Sequence, residues 1–226
     1  MKICVINIAT NGYEEFLPDL YEGIDEYFLK DHEVSKLLFT DSDYKADRTV
    51  QIESDPWPYQ TLKRYHYFCL EEEYLSGFDY CFYFDADMKV VDYVGDEILS
   101  THITATLHPL QMRNAHNPAT FTYHRDKGST ARVHELEGTN YYCGGFNGGT
   151  SSAWLEMSRI IKDRIDKDLQ NNIIADWHDE SHLNRYLIDF PPSAILGTEY
   201  CYDDKRGKGS PKIIAVRKAK EWNAKK

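Results

Sequence analysis

Two rhythms of apolar residues alternate along this chain of 226 residues. Residues 2–8 (KICVINI), 34–39 and 103–107 (ITATL) are short, nearly continuous apolar runs of the kind that form buried strands. Between them the spacing lengthens to that of helices. Phe16, Leu17, Leu20, Ile24, Tyr27 and Phe28 share one face of a predicted helix, with Asn11 and Glu14 placed as a capping box at its start. Leu62, Tyr65, Phe68, Cys69 and Tyr74 mark a second helix over residues 59–75, and Leu155, Ile161, Ile165 and Leu169 a third over residues 154–169. Residues 94–99 predict a short helix. Residues 111–140 are polar and hold few apolar runs, a long excursion that makes either a lid or a small subdomain.

The strongest stretch is residues 77–91, GFDYCFYFDADMKVV. Phe78, Tyr80, Cys81, Phe82, Tyr83 and Phe84 predict a strand buried on both faces, as in a parallel sheet, and it stops at Asp85-Ala86-Asp87. Ligands of open α/β sheets sit beyond the carboxyl ends of the strands. Neighbouring carboxylates repel unless a cation lies between them, and hard divalent ions such as Mg²⁺ or Mn²⁺ take oxygen ligands, so a metal carrying phosphate fits this turn. A solvated surface turn is the plainer reading. Phosphatases of the haloacid dehalogenase class also end a strand in Asp-x-Asp, but on their first strand. The opening strand, loop and helix suit a nucleotide-binding half-fold, while the absence of GxGxxG and of a P-loop lysine disfavours dinucleotide and P-loop readings.

Two further stretches carry chemistry. Residues 141–149 (YYCGGFNGG) hold four glycines, which imply tight turns or close approach of backbone to a ligand. In residues 176–186 (DWHDESHLNRY), Asp179 and Glu180 fall in the first turn of a helix, where its dipole favours negative charge. Trp177 offers a flat face of the sort that packs on a sugar ring. His178 and His182 have the spacing of a zinc-peptidase HExxH, but Asp179 stands where the longer general base belongs. His108 ends a strand, where it either faces the ligand crevice or caps a loop.

Composition narrows the class. With 42% hydrophobic and 14% aromatic residues the chain is globular, and a net charge of −11 argues against a binder of nucleic-acid backbone. From Lys205 to Lys226 the balance reverses, with nine Lys or Arg against one acid, Glu221. Five scattered cysteines without a CxxC pair suggest reduced thiols and a cytoplasmic setting. The apolar part of the N-terminus is too short for a signal peptide, and no stretch approaches a membrane span, so a soluble protein is expected.

Taken together, DADM after an aromatic strand, YYCGGFNGG, WHDESHLNRY and EYCYDD resemble retaining glycosyltransferase family six, in its short microbial or phage form. The resemblance covers residues 9–218. It implies a GT-A fold: a Rossmann-like mixed sheet flanked by helices in one α/β domain, residues 1–204, with residues 205–226 as a mobile lid tail. It implies transfer of galactose or N-acetylgalactosamine from a UDP-sugar to a galactoside in α-1,3 linkage, with Mn²⁺ or Mg²⁺ as cofactor. Asp85 and Asp87 would hold the metal. Ile8, Ala9 and Tyr13 would line the uridine pocket; Arg64, Ala86, Gly144, Gly145, Asp179 and Lys218 would complete the donor site. Glu180 would face the anomeric carbon, and His108, Thr122, Trp177 and Asp203 the acceptor. Leu110 and Cys143 stand at specificity positions, and room at Gly145 leans the donor towards N-acetylgalactosamine. Two other classes stay open: a zinc hydrolase using His178 and His182, and a non-catalytic sugar-binding module.

Overall fold

The computed structural model describes residues 1–203 and 209–216. The chain opens with β1 (Lys2–Ala9), turns through a tight helical turn into helix α1 (Leu17–Tyr27), and returns as β2 (Glu33–Thr40) and β3 (Arg48–Gln51). Three short helices follow, α2 (Tyr59–Leu62), α3 (Arg64–Leu70) and α4 (Glu72–Leu75), and then β4 (Tyr80–Phe84) and β5 (Met88–Val90). β6 (Ile103–Leu107), β7 (Tyr142–Thr150), α5 (Ser151–Gln170), α6 (His178–Asp189) and β8 (Ala194–Leu196) complete the main body, with β9 (Tyr202–Asp203) and β10 (Ile213–Ala215) after it.

Seven strands form one mixed sheet in the order β3-β2-β1-β4-β7-β6-β8. β1 is parallel to β2 and β4, whereas β7 is antiparallel to both β4 and β6. The alternation of β4 explains why its aromatic run is needed. Phe82 and Phe84 point into a core with α1, where Phe28 meets them edge-on at 5.7 and 5.2 Å between ring centres. Cys81 and Tyr83 enter the opposite core with α3, α5 and α6, in which Phe68 packs on Trp154 at 4.6 Å. Burying such a side chain contributes about 1.5–3 kcal/mol. The mixed α/β sheet flanked by helices is consistent with the expected GT-A class.

Several local expectations need correction. No capping box forms: Asn11 sits at φ 57° and Gly12 at φ 87°, so the chain reverses before it begins to coil, and the first turn has no side-chain cap. Residues 59–75 are three helices because the backbone leaves the helical basin at Lys63 and Glu71. Those bends let α2 lie on α6 while α3 lies on α5. Residues 94–99 hold only a single tight turn at Asp96–Ile98. The glycine run is a strand, not a set of turns: a Cβ at Gly148 would lie 2.2 Å from a Phe82 ring carbon, so only glycine lets β7 pass that close to β4.

Residues 111–140 have a small core of their own in which Phe121, Tyr123 and Val133 pack with Tyr141. Arg185 of α6 reaches the Arg132 carbonyl at 3.3 Å and Glu137 at 2.8 Å, and Asp168 of α5 accepts from Ser129 at 2.5 Å and Thr130 at 2.8 Å. Of the basic C-terminal stretch, β10 pairs antiparallel with β5 and parallel with β9. Among the described residues no helix is long and apolar enough to cross a membrane.

Candidate active site

β4 ends where the sheet opens, and its last turn presents Asp85. The Asp85 N–H is held by the Gly145 carbonyl at 2.8 Å, which ties the turn to the neighbouring β7. One carboxylate oxygen, Oδ1, accepts from the Tyr83 hydroxyl at 2.7 Å and lies 3.1 Å from Arg64 Nη2. Tyr83 stands two residues before Asp85 on the same side of the strand, a spacing that would have singled it out from sequence. Ala86 is buried, and the Asp87 carbonyl accepts the Val216 N–H at 2.8 Å.

Arg64 is the hub, and it is not the surface arginine that a lone basic residue in a helix suggests. Only 8% exposed, it donates from Nη1 to the Gly144 carbonyl at 3.1 Å, places Nε 3.1 Å from Asp179 Oδ2, and lies over the Tyr83 ring. The Nε contact is an ion pair by distance without the alignment of a hydrogen bond. Burial works against the charged guanidinium, but Asp179 and Asp85 outweigh it and hold the proton more firmly than usual.

The start of α6 supplies the second pair of carboxylates. His178 takes φ 49°, a left-handed conformation rare outside glycine, and brings Asp179 and Glu180 round onto the end of β7. Asn184 locks that geometry by accepting the Tyr142 N–H at 2.8 Å and donating to the Tyr142 and Glu180 carbonyls, each at 2.9 Å. Glu180 accepts the Gly144 N–H at 2.8 Å, and the Tyr141 hydroxyl lies buried beside it without a well-formed hydrogen bond. Two bare glycines let these groups crowd the strand. A Cβ at Gly144 would sit 3.4 Å from oxygens of Asp179 and Glu180, and one at Gly145 would meet Asp85 Oδ2 at 2.9 Å and Met88 Cε at 2.7 Å.

Negative charge is therefore in excess. Burial raises Asp179 to about 7, with Asp85 and Glu180 adding to the shift against the opposing Arg64, and burial also raises Glu180 to about 7. Both groups hold protons in the folded state that the unfolded chain gives up between about pH 4 and 7. The stability they confer is thus full below about pH 4 and lost as pH rises through 7. Glu180→Gln cannot ionise, so the variant is expected to melt higher than wild type at pH 8. Discounted for the partial exposure of Glu180, the gain is about 1–2 kcal/mol, roughly 2–8 °C for a domain of this size. Melting curves from pH 4 to 8 check it, since the gain must fade towards pH 4; equal melting at pH 8 would mean that Glu180 is not buried as a strained carboxylate.

The donor set suits a hard divalent cation shared with phosphate. Asp85 keeps Oδ2 free of Arg64 and Tyr83 and its side chain is 35% exposed, while Asp87 follows in the same turn. No cluster of three or more His, Cys, Asp or Glu able to hold a metal exists among the described residues. A magnesium-like ion bound through one or two carboxylates plus substrate phosphates needs none. The same observation leaves a zinc pair at His178 and His182 without support. His182 is completely buried with neither ring nitrogen hydrogen-bonded and Asp168 3.8 Å away, whereas His178 packs edge-on against Trp57.

The remaining candidates ring this centre. Ile8 and Ala9 lie at the carboxyl end of β1, next to β4, and Tyr13 follows in the first turn, its ring 5.9 Å from Phe16. His108 follows the last residue of β6; its Nδ1 accepts the Leu110 N–H at 3.2 Å, its ring meets Tyr141 edge-on, and burial lowers it to about 4 while nearby Asp203 opposes the shift. Thr122 donates its N–H to Gln111 at 3.2 Å, and Trp177 is half exposed beside the catalytic candidates. Asp203 is buried at the end of β9. Lys218 lies outside the described residues. Besides Tyr83 and Tyr141, the sequence does not reveal that the thiols of Cys143 and Cys201 lie together.

Comparison with known proteins adds an independent line. A family model described as glycosyltransferase family 6 matches residues 1–226. The histo-blood group ABO system transferase 1 of Rattus norvegicus is 34% identical over 212 residues, covering 87% of this chain and 60% of the rat protein. The O-antigen biosynthesis glycosyltransferase WbnI of Escherichia coli is 29% identical over 224 residues, 96% of this chain and 94% of its own length. The globoside alpha-1,3-N-acetylgalactosaminyltransferase 1 of Homo sapiens is 29% identical over 219 residues, 91% of this chain and 62% of the human protein. The chain thus spans about three fifths of the animal relatives and nearly all of the bacterial one.

Proposed function

The chain belongs to glycosyltransferase family 6, and from that membership we propose that it transfers N-acetylgalactosamine, or galactose, from a UDP-sugar to a hydroxyl of a galactoside acceptor in α-1,3 linkage with retention. The observation that carries the reading is the convergence of Asp85, Arg64, Asp179 and Glu180 around Gly144 and Gly145. The name of the human relative, an alpha-1,3-N-acetylgalactosaminyltransferase, favours an α-1,3 transfer and an N-acetylgalactosamine donor.

Each residue then has work that its surroundings favour. Asp85 and Asp87 would hold Mn²⁺ or Mg²⁺, which when bound offsets the charge of the departing diphosphate. Arg64 keeps Asp85 and Asp179 apart and oriented. Asp179 accepts from donor-sugar hydroxyls, and Glu180, fixed by the Gly144 N–H, faces the anomeric carbon as positive charge builds there. Ile8, Ala9 and Tyr13 border the nucleoside, and His108, Thr122, Trp177 and Asp203 the acceptor. Lys218 and the rest of the segment after residue 204 would cover the diphosphate and exclude water, which otherwise consumes the donor.

UDP release from a panel of UDP-sugars, with Mn²⁺ and with chelator, tests the reading. Release from UDP-N-acetylgalactosamine or UDP-galactose is expected with metal only, falling at least about a hundredfold in Asp87→Asn. Metal-independent release unchanged by that substitution would remove the metal role, and release from neither donor with galactosides added would remove the donor assignment.

A further inference from the structure

Residues 111–134 run against the charge of the molecule. They carry Arg113, Arg125, Lys127 and Arg132 against a single acid, Asp126, in a chain whose net charge is −11. The fold draws three of these together: Arg125, Lys127 and Arg132, with His134 and one acid, Glu135, line one open concavity of about 410 Å³.

Arg125 is built into the wall. Its Nη1 donates to the carbonyls of Val133 and His134 at 2.8 and 2.7 Å, and its guanidinium lies 5.3 Å from the Tyr123 ring centre. Its other nitrogens, the Lys127 ammonium and the Arg132 guanidinium have no ion pair or hydrogen bond among the described residues. The nearby acids are engaged elsewhere: Asp126 accepts the Gly128 N–H at 2.7 Å and Glu137 pairs with Arg185 at 2.8 Å. Glu135 pairs with none of the three. Other basic side chains of the protein do find acids, as in Lys63–Asp55, Arg48–Glu71, Lys162–Asp166 and Lys212–Glu97. Three uncompensated cations around one hollow, in a chain where carboxylates outnumber them, are a recognition surface for an anion.

Its place says which anion. The segment is clamped to α6 at two places: His124 accepts the Asp176 N–H at 3.2 Å just ahead of the helix, next to Trp177, and Arg185 in its later turns holds the Arg132 carbonyl. The hollow therefore sits on a segment tied to the helix that carries Glu180. We propose that it binds an anionic group, a carboxylate or a phosphate, carried on an acceptor glycan one sugar beyond the galactose that receives the new residue. That the ligand is the acceptor rests on the transferase reading; that the hollow takes an anionic sugar does not.

Titration calorimetry in the presence of UDP tests both. The probes are lactose, a galactosyl-glucuronic acid disaccharide and lactosyl phosphate, with wild type and with the double variant Lys127→Ala/Arg132→Ala, neither of whose side chains the fold uses. At least one anionic disaccharide is expected to bind about tenfold more tightly than lactose at low salt, the advantage vanishing in the double variant and shrinking in 0.5 M salt. Which anion gains distinguishes carboxylate from phosphate. Equal binding of all three, or an advantage that survives the double substitution, overturns the proposal while leaving donor turnover intact. Charge-dependent binding in a protein that releases UDP from no donor would uphold the site and sink the transferase reading instead.

Discussion

Glu180→Gln is expected to lower sugar transfer by about three orders of magnitude while UDP binding stays within a fewfold of wild type. The amide keeps the size of the side chain and can still accept the Gly144 N–H that holds Glu180 at 2.8 Å. It cannot supply negative charge to the carbon that loses UDP, and charge placed where the transition state needs it is commonly worth several kcal/mol. The same substitution relieves a carboxylate that burial raises to about 7. One variant should therefore be more stable at pH 8 and nearly inactive, the sign of a group kept at a cost for its chemistry. Steady-state rates of transfer and nucleotide titration measure the two sides. A rate within tenfold of wild type would move the catalytic role off Glu180.

Arg64→Ala is expected to fail more broadly. The guanidinium, 8% exposed, is 3.1 Å from each of Asp85, Asp179 and the Gly144 carbonyl. Removing one partner of a buried ion pair leaves charges uncompensated, a loss of about 3–5 kcal/mol. The sign with pH follows from the carboxylates. Without Arg64 the Asp179 carboxyl rises further above its usual range, so the defect is greatest where it must ionise, above about pH 7, and eases as pH falls and the acid takes up its proton. Arg64→Lys keeps a charge but not the fork that reaches two acids at once, so it should recover stability more than turnover. Denaturation midpoints at pH 5 and 8, read beside UDP release, separate these effects. A loss of the same size at both pH values would show that packing, rather than charge, is what Arg64 supplies.

The α/β class and the sheet's opening at Asp85 were legible because a nearly uninterrupted aromatic run stops at two carboxylates, a pattern local enough to read in one dimension. Arg64 was legible only through the family resemblance, since nothing in RYHYFCL itself says that a helix will break at Lys63 and turn its arginine inward. Only the packing of α2 on α6 and α3 on α5 decides that. The turn reading of the glycine run failed for a related reason. Glycine is a poor strand former, and its use in β7 lies in the 2.2 Å that a Cβ at Gly148 would leave to Phe82, a contact between residues far apart in sequence. Asn11 and Glu14 have the spacing of a cap, but backbone in the left-handed region at Asn11 and Gly12 overrides it. His182 matched a metal spacing because a helix puts i and i+4 on one face whether that face meets a ligand or, as here, the core.

The place of β4 between β1 and β7 bears on how the protein is made. β1 and β2 precede β4 in the chain, but its other neighbour begins only at Tyr142, roughly 60 residues after Phe84. At the usual pace of synthesis that interval lasts about 3–12 s. Throughout it, an uncharged strand, YCFYF, offers bare N–H and C=O groups along one side to any other extended chain. The yield of folded molecules is then expected to depend on how soon β7 closes that edge as well as on the strength of the finished sheet.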